Sequence, residues 1–245
     1  MHADWIIPDW PAPARVRAVS TTRNAGVSSG VYASLNLGAH VGDAAESVAE
    51  NRRRLRDALK LPREPRWLRQ IHGNRVIKID DMQIEQECDA AYTSDAGQIC
   101  TIMAADCLPV LLCNRKGTVV AAAHAGWRGM AAGVLEATLA AMAVPTESVL
   151  AWLGPAIGPD AYEVGEEVRS ALTRGQPQAD QAFESIRDGK WLCDLYLLAG
   201  QRLRQAGVPH VYGGGFCTHT ERARFFSYRR DGECGRMGTL IWIAD

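Results

Sequence analysis

The sequence has little that marks a membrane, secreted or nucleic-acid-binding protein. No run of about 18 apolar residues is present, so no spanning helix is expected. The first residues, MHADWIIPDWPAPARVR, lack the basic start and apolar stretch of a signal peptide. A formal net charge of −1 over 245 residues creates no field that would favour nucleic acid or a membrane surface. A cytoplasmic location with reduced thiols is therefore the expectation. No C-x-x-C pair occurs, which excludes zinc-ribbon and thioredoxin-type motifs. No G-x-G-x-x-G opens a helix, which argues against a dinucleotide-binding domain. Repeats, low-complexity tracts and long linkers are also missing, and one compact domain over residues 1–245 is the simplest organisation.

What remains is an ordinary globular composition with strand and helix patterns intermixed. VRAVSTTR (16–23) reads as a strand, followed by a Gly/Ser-rich loop over 24–38. Asp43-Ala44-Ala45-Glu46 resembles a capping box, and the helix behind it should stop before Pro62. RWLRQIH (66–72) and RVIKID (75–80) flank Gly73-Asn74, a hairpin signal that places His72 at the mouth of a tight turn. Further strands are expected near 90–93, 99–106 and 149–154, and helices over 128–143, 163–172 and 194–207. RFFSYRR and MGTLIWIA read as closing strands. Short turns between strands favour an α+β fold with a mixed sheet core, hairpins and flanking helices.

Seven is an odd count of cysteines, so at least one is unpaired, and most free cysteines are small buried hydrophobes. Cys107 is different because of its partner. In MAADCLPVLLCNRKGTVVAAAHAGWRG two apolar runs flank NRKG. If Asn114–Gly117 form a four-residue loop, Cys113 faces Thr118 and Cys107 faces His124. Directly opposed side chains lie about 4.5–5.5 Å apart on one face, a span that two ligands of one ion can bridge. Pro109, which has no N–H for a ladder, predicts frayed pairing at that end. Beyond His124 a helix is expected to begin near Trp127, and helix N-termini favour anions. Arg128 in its first turn opposes the helix dipole, which points to phosphate binding. Spacing alone leaves the third metal ligand open among His72, His219 and His40.

The segments TTRNAGVS, SLNLGAHVGD, RQIHG, TIMAADCLPVLLCN, AAAHAGWRG, WLGPAIGP and FFSYRRDGECGRMG, in that order over nearly the whole chain, resemble the YfiH-like laccase-domain family. The resemblance implies a catalytic metal held by His72, Cys107 and His124. Two imidazoles and a thiolate suit zinc with one open position, and copper is the alternative. No His-x-His pairs are present for a multi-copper cluster. The implied activity is phosphorolysis of adenosine, inosine, guanosine or methylthioadenosine, with adenosine deamination as a companion. The P-C-x-x-C motif of nucleobase deaminases is absent, and the one H-x-E, His219-Thr220-Glu221, stands without it, so any deamination uses another arrangement. The resemblance also implies a hydrolase that removes L-serine from mis-made UDP-N-acetylmuramate precursors. A copper polyphenol oxidase and a non-catalytic metal-binding module are further alternatives. Asp106 is the candidate for proton handling or ligand orientation, and Arg23 and Asn36 are candidate substrate contacts. Purine nucleosides and phosphate are the expected partners of a monomer or homodimer.

Overall fold

The structure, a computed structural model, describes residues 2–79 and 86–244. Along the chain lie β1 (Val16–Ser20), α1 (Ala45–Leu59), β2 (Val76–Lys78), β3 (Ala90–Thr93), β4 (Ile99–Ala104), β5 (Leu108–Asn114) and β6 (Val120–Ala125). Two helices follow, α2 (Trp127–Ala131) and α3 (Val134–Met142), then β7 (Val149–Leu153), β8 (Glu163–Gly165), α4 (Glu166–Thr173), β9 (Phe183–Arg187) and β10 (Lys190–Cys193). The chain closes with α5 (Leu195–Gln205), β11 (His210–Gly213), α6 (Tyr228–Asp231) and β12 (Met237–Ile243).

A six-stranded mixed sheet, in the order β11-β7-β5-β6-β3-β2, forms the centre. Its outer pairs β11–β7 and β2–β3 are parallel, and the inner pairs are antiparallel. Alternation along the strands gives each face its own core. Val110, Leu112, Ala121 and Ala123 pack with Leu135, Leu139, Leu198 and Leu203 on the helical side. Leu111, Cys113, Ala122 and Trp152 pack with Ile102, Ile241 and Ile243, which belong to the antiparallel sheet β1-β12-β4. With both faces covered, β5 and β6 read as continuous apolar runs, as buried strands do. A small antiparallel sheet, β8-β10-β9, lies outside these layers. The fold is α+β. Among the described residues no helix is long and apolar enough to cross a membrane.

Several local expectations change. The capping box does not form: Ala44 is the N-cap of α1 without a side-chain bond, and the Asp43 carboxylate instead accepts from Ser28 and Asn36. Tertiary partners outcompeted the local cap. Residues 66–72 and 75–80 are not a hairpin. Positions 66 and 69 make isolated parallel bridges to Cys100 and Glu87, and β2 pairs in parallel with β3. Asp80, at the end of that expected strand, lies outside the described residues. The helix expected over 128–143 is broken at Gly133, whose φ of 83° no helix contains. The helix expected over 163–172 opens as β8, because Glu163–Gly165 pair with β10. RFFSYRR is no strand: Phe225 and Phe226 are buried in a loop, and α6 starts at Tyr228 under a Ser227 cap.

Candidate metal centre

The β5–β6 hairpin closes one residue later than NRKG suggested. Asn114 Oδ1 accepts from the backbone N–H groups of Thr118 and Val119, and Asn114 N donates to Val119 O. This side-chain clasp makes 115–118 the loop, with Gly117 at a φ of 66°. The register becomes Cys113↔Val120 and Pro109↔His124. Cys107 therefore does not pair with His124. The shift moves each partner by two positions, so the shared face survives. Cys107 lies just before β5, where Asp106 adopts a φ of 91° and turns the chain.

The turn delivers the thiol to the histidines. His72, Cys107 and His124 offer ligand atoms that all lie within 4.8 Å of one another. The two imidazole rings meet nearly edge to face at 4.8 Å between centroids. His124 is buried, Cys107 half-buried and His72 exposed, so the group opens to solvent on the His72 side. Gly126 makes this approach possible. A Cβ there would stand 2.7 Å from Cys107 Sγ.

Asp89, which the sequence reading missed, organises both histidines. It is fully buried at the start of β3. Its Oδ1 lies 2.9 Å from His124 Nδ1 and accepts from His72 N at 2.8 Å. Its Oδ2 accepts from Gly73 N and Ile71 N. The turn that presents His72, with that residue at a φ of 61°, is wrapped around this one carboxylate. Burial alone would raise the Asp89 pKa. The His124 hydrogen bond and the Gly73 and His72 N–H groups outweigh it and hold the carboxyl below its ordinary value. With Nδ1 engaged, His124 has Nε2 left for a ligand, and a carboxylate behind a histidine is the usual support of a metal site. The available signal was an acid placed directly before the apolar strand AAYT.

The electrostatics agree with a cation site. Burial would push the Cys107 thiol up, yet the charge and hydrogen bond of His124, with a hydrogen bond from His72, bring it down to about 6. His124 is raised to about 9, since the Cys107 and Asp89 charges and hydrogen bonds exceed the opposing effect of burial. The Cys107 thiolate and the Asp89 carboxylate thus favour a positive charge at this place, and a metal ion bound there would displace the His124 proton. Among the described residues this is the one group of three or more such side chains.

The other candidate residues have partners of their own. Asp106 accepts from Thr218 Oγ1 and from Arg229 N, each at 2.6 Å, so both its oxygens are occupied by the protein. Asn36 is fully buried, and its amide bonds Gly38, Asp43 and Arg236. Arg23 donates to Ala33 O and lies 4.6 Å from the Phe226 ring centroid. Arg128 stacks on Trp127 at 4.4 Å. Helix α2 is only five residues long, too short for the anion-binding N-terminus expected there. Tyr162 is a further residue the sequence did not flag. Burial and the nearby Cys107 charge push its phenol well above the ordinary range.

Comparison with known proteins identifies the family. A sequence model of the family described as "Multi-copper polyphenol oxidoreductase laccase" matches residues 17–244. The purine nucleoside phosphorylase PA4543 of Pseudomonas aeruginosa is 53% identical over 98% of this chain and 99% of its own. Purine nucleoside phosphorylase YfiH of Escherichia coli is 53% identical over 97% and 98%. Among solved structures, Neisseria meningitidis protein NMB0706 superposes with a TM-score of 0.96 at 51% identity, over 99% of this chain and all of that one. YlmD of Geobacillus stearothermophilus gives 0.93 at 33%, over 100% and 98%. With matches of this extent and closeness, the chain belongs to the YfiH-like laccase-domain family.

Proposed function

We propose that the protein is a zinc-dependent purine nucleoside phosphorylase. It cleaves adenosine, inosine, guanosine or methylthioadenosine with phosphate, and it deaminates adenosine as a side reaction. One arrangement carries this reading: a two-histidine, one-thiolate set, braced by Asp89 and open toward solvent at His72. The names of the relatives, purine nucleoside phosphorylases at 53% identity, supply the substrate class.

The donor set fits the ion. Three protein ligands with one place left open is the catalytic pattern for zinc. A bound zinc ion supplies a Lewis acid that binds and polarises an oxygen of the anion or substrate. The chain's residues do the rest. Asp89 fixes the ring orientation of His124 and the backbone of His72. Gly126 leaves room for the sulfur. Arg128, which the Trp127 ring holds from one side, offers its guanidinium edge to an oxyanion. In the reaction the bond between the sugar C1′ and the purine nitrogen breaks as a phosphate oxygen bonds to C1′. Positioning the anion beside that carbon is most of what such a site must do. A laccase reaction needs several coppers, and the one three-ligand group among the described residues does not hold them.

The test is elemental analysis of freshly purified protein beside an adenosine assay that detects ribose 1-phosphate. About one equivalent of zinc and phosphate-dependent product, both lost in Cys107→Ala with the fold intact, are expected. One equivalent of copper with adenosine untouched would overturn the proposal.

A further inference from the structure

A cleft of about 370 Å³ lies among Trp127, Arg128, Tyr162, Glu163, Lys190 and Arg229, with Glu167 also in its wall. That volume is in the range of small-molecule sites, about 300–1,000 Å³. The cleft adjoins the metal centre through three connections. Trp127 follows Gly126, which lies against Cys107. Arg229 is tied by its backbone to Asp106, the neighbour of Cys107. The Tyr162 phenol lies within the electrostatic reach of Cys107.

We propose that this cleft is an oxyanion site, in which Arg128, Arg229, Lys190 and the Tyr162 hydroxyl seat inorganic phosphate and then the phosphate group of the sugar 1-phosphate made from it. The identity of the anion rests on the phosphorylase reading above. The side chains themselves call for an anion. Arg128 makes no hydrogen bond or ion pair with any described residue, and its one contact of this kind is the Trp127 ring. Arg229 donates to Glu163 O at 2.6 Å and lies 5.1 Å from the Tyr162 ring centroid, which leaves further N–H groups free. Tyr162 is 8% exposed, yet among the described residues its hydroxyl has no partner. That hydroxyl is free to donate to a ligand oxygen that fills the cleft.

The acids in the wall do not cancel this charge. Glu163 accepts from Arg187 at 2.7 Å, with Lys190 3.9 Å away. Glu167 has no ion pair among the described residues and sits in the first turn of α4. A bare carboxylate would repel phosphate alone, but it suits a ligand that also carries hydroxyls. A pentose 1-phosphate has both, with its phosphate toward the cations and its hydroxyls toward Glu167.

The test is calorimetric titration of the zinc-loaded protein with inorganic phosphate, beside steady-state KM values for phosphate and for adenosine. Arg128→Gln and Tyr162→Phe should each weaken phosphate about tenfold, as expected for one bond to a charged group. The double variant R128Q/R229Q should lose more, with zinc content and adenosine KM unchanged. Phosphate Kd and KM within twofold of wild type in the double variant would overturn the site while leaving the phosphorylase reading standing. Phosphate binding that depends on these residues, in a protein that forms no ribose 1-phosphate, would support the site and reject the reading. No phosphate binding and no phosphorolysis would reject both.

Discussion

The Asp89 carboxylate lies 2.9 Å from His124 Nδ1, and the same oxygen accepts the backbone N–H of His72 at 2.8 Å. One buried acid thus sets the ring of one candidate metal ligand and the backbone of another, although 17 residues separate Asp89 from His72 and 35 from His124.

Asp89→Asn tests that coupling. An amide can accept from some of these donors, but its NH2 faces backbone N–H groups and His124. Metal affinity should fall about 10–100-fold, the usual cost of losing the support behind a ligating histidine. Competition with a chromophoric chelator measures it. Because the carboxyl is held below its ordinary value, its stabilisation is present above the unfolded pKa near 3.8 and is lost as pH falls through the lower folded value. The metal-free wild type should therefore lose melting temperature below about pH 4, and D89N should lose less.

Gly126→Ala separates sterics from backbone strain. Gly126 has a φ of −65°, which alanine adopts freely. The added methyl meets Cys107 Sγ at 2.7 Å, so the thiol is the group that must give way. Metal content should fall with little change in the circular dichroism spectrum. Full zinc occupancy in G126A would contradict the close approach of these residues.

The nearness of Cys107 and His124 was legible because a strand's two-residue period survives errors in register, whereas His72 came only with the family resemblance. Moving the pairing from Cys107 to Pro109 kept His124 and Cys107 on one side of the hairpin. The error itself came from Asn114, whose side chain clasps Thr118 and Val119, a contact that residue counting does not include. Asp89 was hidden for another reason. Besides His124, its partners are backbone N–H groups at 71–73, and backbone donors leave no mark in the side-chain sequence. The hairpin expected at Gly73-Asn74 failed in the same place, since the turn folds around that carboxylate instead of closing a strand pair.

Asp106 distinguishes a proton-handling role from a tethering one. Its carboxylate joins Thr218 and Arg229 to the segment before Cys107. Asp106→Asn keeps a residue that tolerates positive φ but loses a charge-assisted bond, at a cost of about 1–3 kcal/mol in stability. Melting temperature should drop while the pH profile of nucleoside cleavage keeps its shape. A lost limb in that profile would restore Asp106 to proton transfer.

The seven thiols should differ sharply in the metal-free protein. Burial pushes Cys88, Cys113 and Cys193 up to about 12, so they are unreactive at neutral pH. Cys107 moves the other way, to about 6, because the His124 charge and the hydrogen bonds from both histidines overcome its burial. The thiolate is the nucleophile, so alkylation of Cys107 by iodoacetamide should follow its ionised fraction. The rate should rise through about pH 6 and level off, whereas a free thiol rises through about pH 8.5. Zinc bound to the sulfur should suppress the reaction, and a chelator should restore it. Peptide mass mapping identifies the modified residue. His124→Gln removes the stabilising cation and should shift the alkylation midpoint upward. An unchanged midpoint in H124Q would show that the imidazole does not set the state of the sulfur.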